Sequence, residues 1–224
     1  MYDAGPLMTG FDAGERIVVP VLRGFAQTHL DELLISHADA DHAGGAPAIL
    51  DAIKVARVVS GQPAEHPAHF SAQACTQEQW QWDGVWFWRW QWQDAQDSNQ
   101  KSCVLLIDAQ GERLLLTGDL DAAGEAALLK DWPWLKADWL VVGHHGSRTS
   151  TSRRFVQALT PRYALISRGK NNSYGHPHPQ VVKTLQRRQV DIYDTAIDKA
   201  ILVQLGTYQS PWTMAQQTRF WRQQ

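Results

Sequence analysis

The chain has 224 residues, of which 44% are hydrophobic and 20% are charged, and its formal net charge is −2. This composition is typical of an ordered globular protein and excludes a disordered or low-complexity chain. No segment approaches the roughly 20 apolar residues that span a membrane, and the N-terminus lacks the layout of a signal peptide, so we expect a soluble chain.

Short apolar runs that alternate with helical patterns predict an α/β fold. We interpret residues 1–206 as one domain and residues 207–224 as a C-terminal extension, unpatterned apart from Trp212, Phe220 and Trp221. In chain order, the predicted elements are strand Leu33–Ser36, helix Gly45–Ile53, strand Val55–Ser60, strands Ser102–Asp108 and Arg113–Thr117, helix Asp121–Lys130 with Asp121 as its cap, strand Trp139–Val142, helix Ser152–Leu159, strand Tyr163–Ser167, helix Pro179–Arg188, and strands Asp191–Thr195 and Ala200–Leu205.

A Trp-rich segment, WQWDGVWFWRWQWQ at residues 80–93, has its six tryptophans at even positions on both sides of Asp83-Gly84. A period of two with a central Asp-Gly predicts a β-hairpin whose tryptophans share one face of each strand. These tryptophans could form a platform on which bases stack, or they could pack beneath an adjacent layer. We favour packing, because one face of a layered sheet must be covered and bulky aromatic side chains do this well.

The sequence HADADHAGG follows the strand Leu33–Ser36 and places His37, Asp39, Asp41 and His42 within six residues. In a turn-forming loop at the carboxyl end of a strand, these imidazoles and carboxylates can converge on a cation with little backbone movement. A polar surface loop is the alternative. Paired histidines with alternating aspartates favour a metal site.

Three later clusters of polar residues each follow an apolar strand. In α/β proteins, polar side chains at several strand ends on one edge of a sheet assemble a site from distant parts of the sequence. The sequence therefore predicts that these clusters contribute to one site. The clusters are LLLTGDL with Asp119, LVVGHHGS with His144 and His145, and LISRGKNNSYGHPHP with His176 and His178.

The net charge of −2 hides a segregated distribution of charge. Residues 146–190 contain nine basic side chains and no Asp or Glu, which leaves 12 basic and 23 acidic residues for the rest of the chain. Such a basic segment suits a phosphate backbone, and a solvated basic face is the alternative. The nine residues are Arg148, Arg153, Arg154, Arg162, Arg168, Lys170, Lys183, Arg187 and Arg188.

The chain has two cysteines, Cys75 and Cys103. Two thiolates cannot by themselves complete a tetrahedral metal site. A disulfide and a pair of buried thiols both remain open.

In their order along the chain, these motifs resemble those of the metallo-β-lactamase superfamily. The usual H-x-H-x-D-H is here H-x-D-x-D-H, followed by N-x-x-S at Asn99 and Ser102, T-G-D, H-H-G-S and N-x-Y-G-H-P-H-P. This variant is similar to the C-terminal hydrolase domain of the ComEC family of DNA-uptake channels, from about Tyr2 to Gly206. The resemblance implies an αββα sandwich. Its N-terminal strands are expected to be truncated, because residues 1–5 match the strand after the opening hairpin.

The resemblance implies a metal-dependent nuclease or phosphodiesterase that acts on DNA during natural transformation and degrades the strand that is not imported. It implies a soluble domain of a bacterial inner-membrane protein, on the periplasmic or extracellular side. The expected partners are DNA and the membrane-embedded channel portion of the parent protein, with no small-molecule cofactor. Disulfides persist in that compartment, so we expect Cys75, before the hairpin, to bond with Cys103, at the start of the next strand.

The resemblance also implies a role for each site residue. His37 and Asp39 would hold one metal, Asp41 and His42 a second, Asp119 would bridge them, and His176 would be the last ligand, with His178 as its competitor. His144 or His145 would act as a general acid or bind phosphate, and Asp41 would also orient the attacking water. The residues expected to bind substrate are Ser147, Arg148, Arg153, Asn172 and His178.

Two divalent metal ions per site are the expected cofactor. Such a pair lowers the pKa of a bound water and neutralises charge on a phosphoryl group. Because Asp39 replaces a histidine, the ligands favour manganese, with zinc and magnesium as alternatives.

The sequence departs from the superfamily pattern at the third motif, where Asp97, Ser98 and Asn99 stand near the place of a histidine. This departure favours an alternative function, a catalytically weak DNA-binding module of the uptake channel. A third candidate is a carbon-ester or lactam hydrolase, for which the basic segment has no evident use.

Overall fold

The structure is a computed structural model that describes residues 1–216. The chain divides into two compact units. The first unit comprises Met1–Gln77 and Arg89–Val104, and the second comprises Glu78–Trp88 and the described residues from Leu105 onward. Within residues 1–216, no helix combines the length and the apolar character that a membrane span requires.

The first unit is built around three parallel strands in the order β4-β6-β7. Leu33 and Ile35 of β4 are buried with Ile49 of α3 and Val58 of β6, so strands and helix share one apolar core. The elements of this unit are β1 (Leu7–Met8), β2 (Phe11–Asp12), a π-helical turn (Gly14–Val18), α1 (Val19–Gly24), β3 (His29–Leu30), β4 (Leu33–Ile35), α2 (Ala40–Ala43), α3 (Ala46–Ala52), β5 (Lys54–Val55), β6 (Val58–Ser60) and β7 (Gln73–Ala74).

The second unit contains most of a seven-stranded sheet in the order β14-β13-β12-β11-β10-β9-β8. Three residues of this sheet, Arg89, Trp90 and Val104, belong to the first unit. Its elements are β8 (Glu78–Trp82), β9 (Val85–Trp90), β10 (Val104–Ala109), β11 (Glu112–Leu116), α4 (Ala122–Asp131), β12 (Trp139–Val141), α5 (Arg153–Leu159), β13 (Tyr163–Ile166), α6 (Pro179–Gln186), β14 (Asp191–Asp194), α7 (Thr195–Asp198), β15 (Ile201–Leu202) and β16 (Trp212–Thr213).

Strands β11 to β14 are mutually parallel, whereas β10 and β11 form an antiparallel hairpin. Parallel strands need crossover connections, and α4, α5 and α6 lie in these connections. The carboxyl ends of β11, β12 and β13 therefore meet at one edge of the sheet. The segments that follow these three ends carry Asp119, His144 and His176.

Capping and buried polar contacts fix the second unit. Asp121 caps α4 by accepting hydrogen bonds from the backbone N–H of Ala123 (3.0 Å) and Gly124 (2.8 Å), as its position predicts. The buried Glu112 carboxylate accepts from Trp139 Nε1 (2.7 Å) and from two backbone N–H groups near the C-terminus. One carboxylate thus ties the sheet to the segment that follows β15.

Most predicted elements are present, but two predicted strands are wrong in extent. The predicted strand Val55–Ser60 is divided, because Lys54–Val55 pairs with β3 whereas Val58–Ser60 pairs with β4. The predicted strand Ala200–Leu205 is reduced to Ile201–Leu202, which pairs with Trp212–Thr213 in a two-stranded ribbon. Of the predicted extension, Phe220 and Trp221 lie outside the described residues.

The Trp-rich segment forms the predicted hairpin, but the preferred interpretation of its tryptophans is wrong for two of them. Trp82 is 47% exposed and Trp86 is 39% exposed, whereas Trp90 is buried. Trp82 on β8 and Trp86 on β9 lie next to the exposed turn Asp83-Gly84, whereas Trp90 lies at the far end of β9. The prediction of packing is therefore correct for Trp90 and wrong for Trp82 and Trp86.

Cys75 and Cys103 form the expected disulfide, with their Cα atoms 5.9 Å apart. The backbone N–H of Cys75 donates to Ser60 O and that of Cys103 donates to Ser36 O, so the bond lies beside the ends of β4 and β6. It closes a loop with a sequence separation of 28 residues.

Replacing both cysteines by serine should lower the free energy of unfolding by about 3–4 kcal/mol, because the unfolded chain regains the entropy of the open loop. Urea unfolding without a reducing agent measures this difference. Adding dithiothreitol to the wild type should produce the same loss and leave the variant unchanged. Two titratable thiols in the folded, unreduced wild type would contradict the disulfide.

Candidate functional site

The predicted site residues fall into two groups, one in each unit. The first group follows β4 in the first unit, where His37 and His42 have ring centroids 4.3 Å apart. Both side chains are buried. His37 Nε2 lies 3.5 Å from a carboxylate oxygen of Asp39, and a carboxylate oxygen of Asp41 lies within 4.8 Å of a ring nitrogen of His42. The HADADH motif therefore brings its four predicted ligands together.

The predicted loop that carries these ligands is partly helical, which corrects the sequence interpretation. Residues Ala40–Ala43 form one turn of helix, in which the N–H groups of His42 and Ala43 donate to Asp39 O at 3.0 and 2.9 Å. The turn directs the His42 side chain inward and leaves Asp41 exposed. A four-residue helix is too short to show a periodic pattern in the sequence.

Asp3 orients His42, and sequence reasoning missed this residue. Its carboxylate accepts from the backbone N–H of Ser36 (2.7 Å) and lies 2.8 Å from His42 Nδ1. Because a carboxylate only accepts, Nδ1 carries the proton and Nε2 carries the lone pair. Carboxylate-held imidazoles of this kind are typical of metal ligands. The sequence signal was weak, since Asp3 lies 39 residues before His42.

Ser98 contacts the side chain of Asp39, and Gln62 contacts Ser98. Ser98 Oγ lies 2.7 Å from Asp39 Oδ1 and 2.9 Å from Gln62 Oε1, and Gln62 Oε1 also accepts from Ala38 N at 3.1 Å. Ser98 stands near the place of the superfamily's third histidine. The serine thus contacts a predicted ligand through its hydroxyl.

The second group gathers residues that are far apart in the sequence of the second unit. His144 Nε2 lies 3.6 Å from a carboxylate oxygen of the buried Asp119, and the His144 ring centroid lies 5.8 Å from that of His176 and 6.4 Å from that of His145. The carboxyl ends of three parallel strands deliver these side chains to one place, as the sequence pattern predicts.

The turn that carries His144 and His145 has a strained backbone. Both histidines have positive φ angles, 49° and 53°, a conformation that non-glycine residues rarely adopt. Gly146 follows with φ of 87°, and a Cβ there would lie 2.6 Å from Pro177 Cβ. His145 Nδ1 lies 2.8 Å from Ser167 O, so Nδ1 donates and Nε2 carries the lone pair.

His176 has the properties of a metal ligand in this unit. Its Nδ1 is buried and has no hydrogen-bond partner among residues 1–216. Burial lowers the pKa of His176, and the nearby His144 and His145 add to this effect. A lower pKa keeps the imidazole neutral, with a lone pair available for a cation. The side chain of Asn172 bonds to the backbone N–H and C=O of His176 at 2.8 and 2.9 Å and so fixes its position.

The other predicted substrate-binding residues have varied surroundings. His178 caps α6, since its Nδ1 accepts from Gln180 N at 3.2 Å, and this contact distinguishes it from His176. Ser147 is buried, with its Oγ 3.0 Å from Thr149 Oγ1. Arg148 and Arg153 are exposed to solvent.

Glu125 of α4 anchors the segment that follows His145. Its buried carboxylate accepts from the backbone N–H of Thr151 and from that of Ser152 at 3.0 Å. Burial raises the pKa of Glu125 to about 7, against the effect of these hydrogen bonds. Sequence reasoning missed this residue because nothing in the helical pattern of α4 sets it apart.

The chain belongs to the metallo-β-lactamase superfamily, whose family model matches residues 2–170. A solved structure of a CmlA β-hydroxylase mutant matches it with a TM-score of 0.53 and 15% identity, over 76% of this chain and 44% of that one. That likeness concerns the fold. It agrees with the predicted α/β class and with the large central sheet.

Within the superfamily, the predicted resemblance to ComEC-family competence proteins is confirmed. The chain is 36% identical to ComE operon protein 3 of Bacillus subtilis over 83% of its length and 26% of that protein. It is 37% identical to competence protein ComA of Neisseria gonorrhoeae over 92% of its length and 29% of that protein. It is thus a competence-related metallo-β-lactamase domain that spans under a third of these relatives.

The donors in both groups fit a divalent cation. Imidazole nitrogens held by hydrogen bonds, carboxylate oxygens and the buried Nδ1 of His176 are ligand types that manganese, zinc and magnesium accept to different degrees. Divalent metal binding is also the general property of this superfamily of hydrolases.

Replacing Asp3 by alanine should lower the affinity for Mn²⁺ by roughly 10–100-fold, because His42 loses the carboxylate that fixes its ring. Isothermal titration calorimetry at pH 7 measures the affinity. Asp51→Ala, an exposed aspartate on α3 of the same unit, is the control and should bind like the wild type. If both variants bound Mn²⁺ with equal affinity, Asp3 would have no role in metal binding.

The raised pKa of Glu125 predicts a dependence of stability on pH. The folded protein keeps a proton on Glu125 between pH 4.5 and about 7, where the unfolded chain has lost it. This contribution is therefore present below pH 4.5 and is lost as the pH rises toward 7. In EDTA, the free energy of unfolding of the wild type should fall over this interval, relative to Glu125→Gln, by on the order of 2–3 kcal/mol. Parallel urea-unfolding results for the two proteins at pH 5 and 7.5 would contradict the prediction.

Proposed function

We propose that the chain is a metal-dependent phosphodiesterase that cleaves DNA during natural transformation and degrades the strand that is not imported. The observation that carries the proposal is the gathering of hydrogen-bonded imidazoles and carboxylates at strand ends in a competence-related member of a hydrolase superfamily. The choice of a phosphodiester over a carbon ester or lactam depends on the basic segment.

The proposed centre would hold two cations. His37 and Asp39 would hold one ion, Asp41 and His42 the other, Asp119 would bridge them, and His176 would complete the set. The unpartnered Nδ1 of His176 supports its choice over His178, whose Nδ1 caps a helix. The aspartates favour Mn²⁺ over Zn²⁺.

The protein's own side chains would perform the remaining tasks. When bound, the cations acidify a water and offset the negative charge of the phosphoryl group. The exposed carboxylate of Asp41 would orient the water, as its position on the first turn of α2 allows. His145, held through Nδ1 by Ser167 O, would take up a proton at Nε2 and donate it to the leaving oxygen or to a phosphate oxygen.

The basic segment, residues 146–190, would bind the DNA backbone. Arg168 does not contribute to a free positive surface, because its Nε is 2.7 Å from Asp194 Oδ2. The other eight basic side chains are exposed. Arg153 and Arg154 of α5 line an open depression with Gln157 and Ala158 and would contact the phosphates there.

A location outside the cytoplasm is part of the proposal. The disulfide supports it, since such bonds persist in oxidising compartments. The relatives are more than three times the length of this chain, which is consistent with a membrane-embedded portion as a partner.

A catalytically weak DNA-binding module is the second candidate. Ser98 favours it, because a hydroxyl that bonds to Asp39 and Gln62 replaces the imidazole ligand of the superfamily. The two functions share the DNA partner and differ in the rate of cleavage.

Single-stranded DNA should be cleaved with Mn²⁺ and not with EDTA, and Asp41→Ala should abolish cleavage while the circular dichroism spectrum stays unchanged. His145→Ala should retain Mn²⁺ affinity and lose roughly 10²–10⁴-fold in rate, since its task is proton transfer or phosphate binding. A gel assay with a labelled oligonucleotide measures the rates, and Asp94→Ala, an exposed aspartate of the same unit, is the control. Binding of DNA by the wild type without metal-dependent cleavage would favour the second candidate.

A further inference from the structure

A row of four indole rings crosses one face of the sheet in the second unit. Trp86 and Trp88 lie two residues apart on β9, and their ring centroids are 6.1 Å apart. Trp88 lies 5.8 Å from Trp134, in the segment between α4 and β12, and Trp134 lies 5.5 Å from Trp132. Residues far apart in the sequence thus build one continuous aromatic surface, which we call the indole row.

The indole row is buried at Trp132 and exposed at Trp86 and Trp134. Trp132 is buried and forms its base, whereas Trp86 is 39% exposed and Trp134 is 43% exposed. The guanidinium carbon of Arg113 lies 5.8 Å from the ring of Trp134, and Arg113 is fixed by Asp108 at 2.7 Å. Clustered exposed indoles on a rigid sheet are characteristic of a binding surface, because a soluble protein otherwise keeps such patches small.

The rings of the indole row contact one another. Neighbouring centroids are 5.5 to 6.1 Å apart, within the range of packed aromatic pairs, so the row offers one continuous aromatic surface. Paired bases in a duplex hide their faces, whereas those of a single strand are free to stack on such a surface.

We propose that the indole row binds single-stranded nucleic acid by stacking bases on Trp86, Trp88 and Trp134. The choice of nucleic acid rests on the proposed function, and the site adds a surface that holds the strand by its bases instead of its phosphates. Stacking tolerates any base, so the surface would retain a strand of arbitrary sequence.

The test measures binding of fluorescein-labelled oligo(dT) by anisotropy in EDTA, where cleavage cannot occur. Trp134→Ala and Trp86→Ala should each weaken binding about 5- to 100-fold, the loss expected for one stacked base. Trp134→Phe should recover part of the affinity, because a smaller ring still stacks. The matched control is Trp82→Ala, which removes a tryptophan of similar exposure from β8, and it should bind like the wild type.

A second ligand separates base stacking from charge. An oligonucleotide of equal length with abasic sites carries the same phosphates, so it should bind weakly to the wild type and respond little to Trp134→Ala. Equal binding of oligo(dT) by the wild type, Trp134→Ala and Trp86→Ala would overturn the proposal. So would tighter binding of a chitin oligosaccharide than of oligo(dT) with loss in the same variants, which would make the row a carbohydrate site.

The rate of hydrolysis of bis(4-nitrophenyl) phosphate with Mn²⁺ measures the activity of the proposed metal site. This substrate is too small to need the indole row. Trp134→Ala and Trp86→Ala should retain the wild-type rate on this small substrate. Loss of oligo(dT) binding with an unchanged rate supports the indole row. A wild type that binds oligo(dT) through the row but hydrolyses neither substrate would contradict the phosphodiesterase proposal alone.

Discussion

Burying an imidazole or a carboxylate is costly unless hydrogen bonds replace the lost water, and this constraint shapes the candidate site. His42 is buried because Asp3 accepts from its Nδ1, and the same carboxylate accepts from Ser36 N–H. In the second unit, Asn172 plays a comparable part for the backbone of His176. His42 thus depends on a partner that holds one ring nitrogen, whereas His176 is held through its backbone.

The candidate ligands stand out in the sequence, whereas the residues that hold them do not. His37, Asp39, Asp41 and His42 form a dense local pattern after an apolar strand, and the T-G-D and H-H-G-S motifs stand at similar strand ends. Asp3 and Ser98 are single polar residues, 39 and 59 positions away from the side chains they hold. A pairing over that distance leaves no periodic or compositional signal, because it arises only when the folded chain brings distant segments together.

The same distinction explains the errors in the fold. A period of two predicts the Trp hairpin correctly, but it does not reveal that the tryptophans next to the turn are exposed and that Trp90 is buried. The basic segment is evident from its composition, yet Asp194, which neutralises Arg168, lies outside that segment. Strand β5 separates from β6 because the chain changes its pairing partner within six residues. Local patterns define the elements, and long-range pairing decides what each element faces.

The disulfide also affects what proteolysis does to the chain. Cys75 and Cys103 stand on either side of the excursion that forms the Trp hairpin, whose turn at Asp83-Gly84 is exposed. A protease that cuts this turn would leave two polypeptide pieces still joined through sulfur. Such a nicked molecule would separate into its fragments only after reduction, so in an oxidising compartment a single cleavage there would not divide the chain.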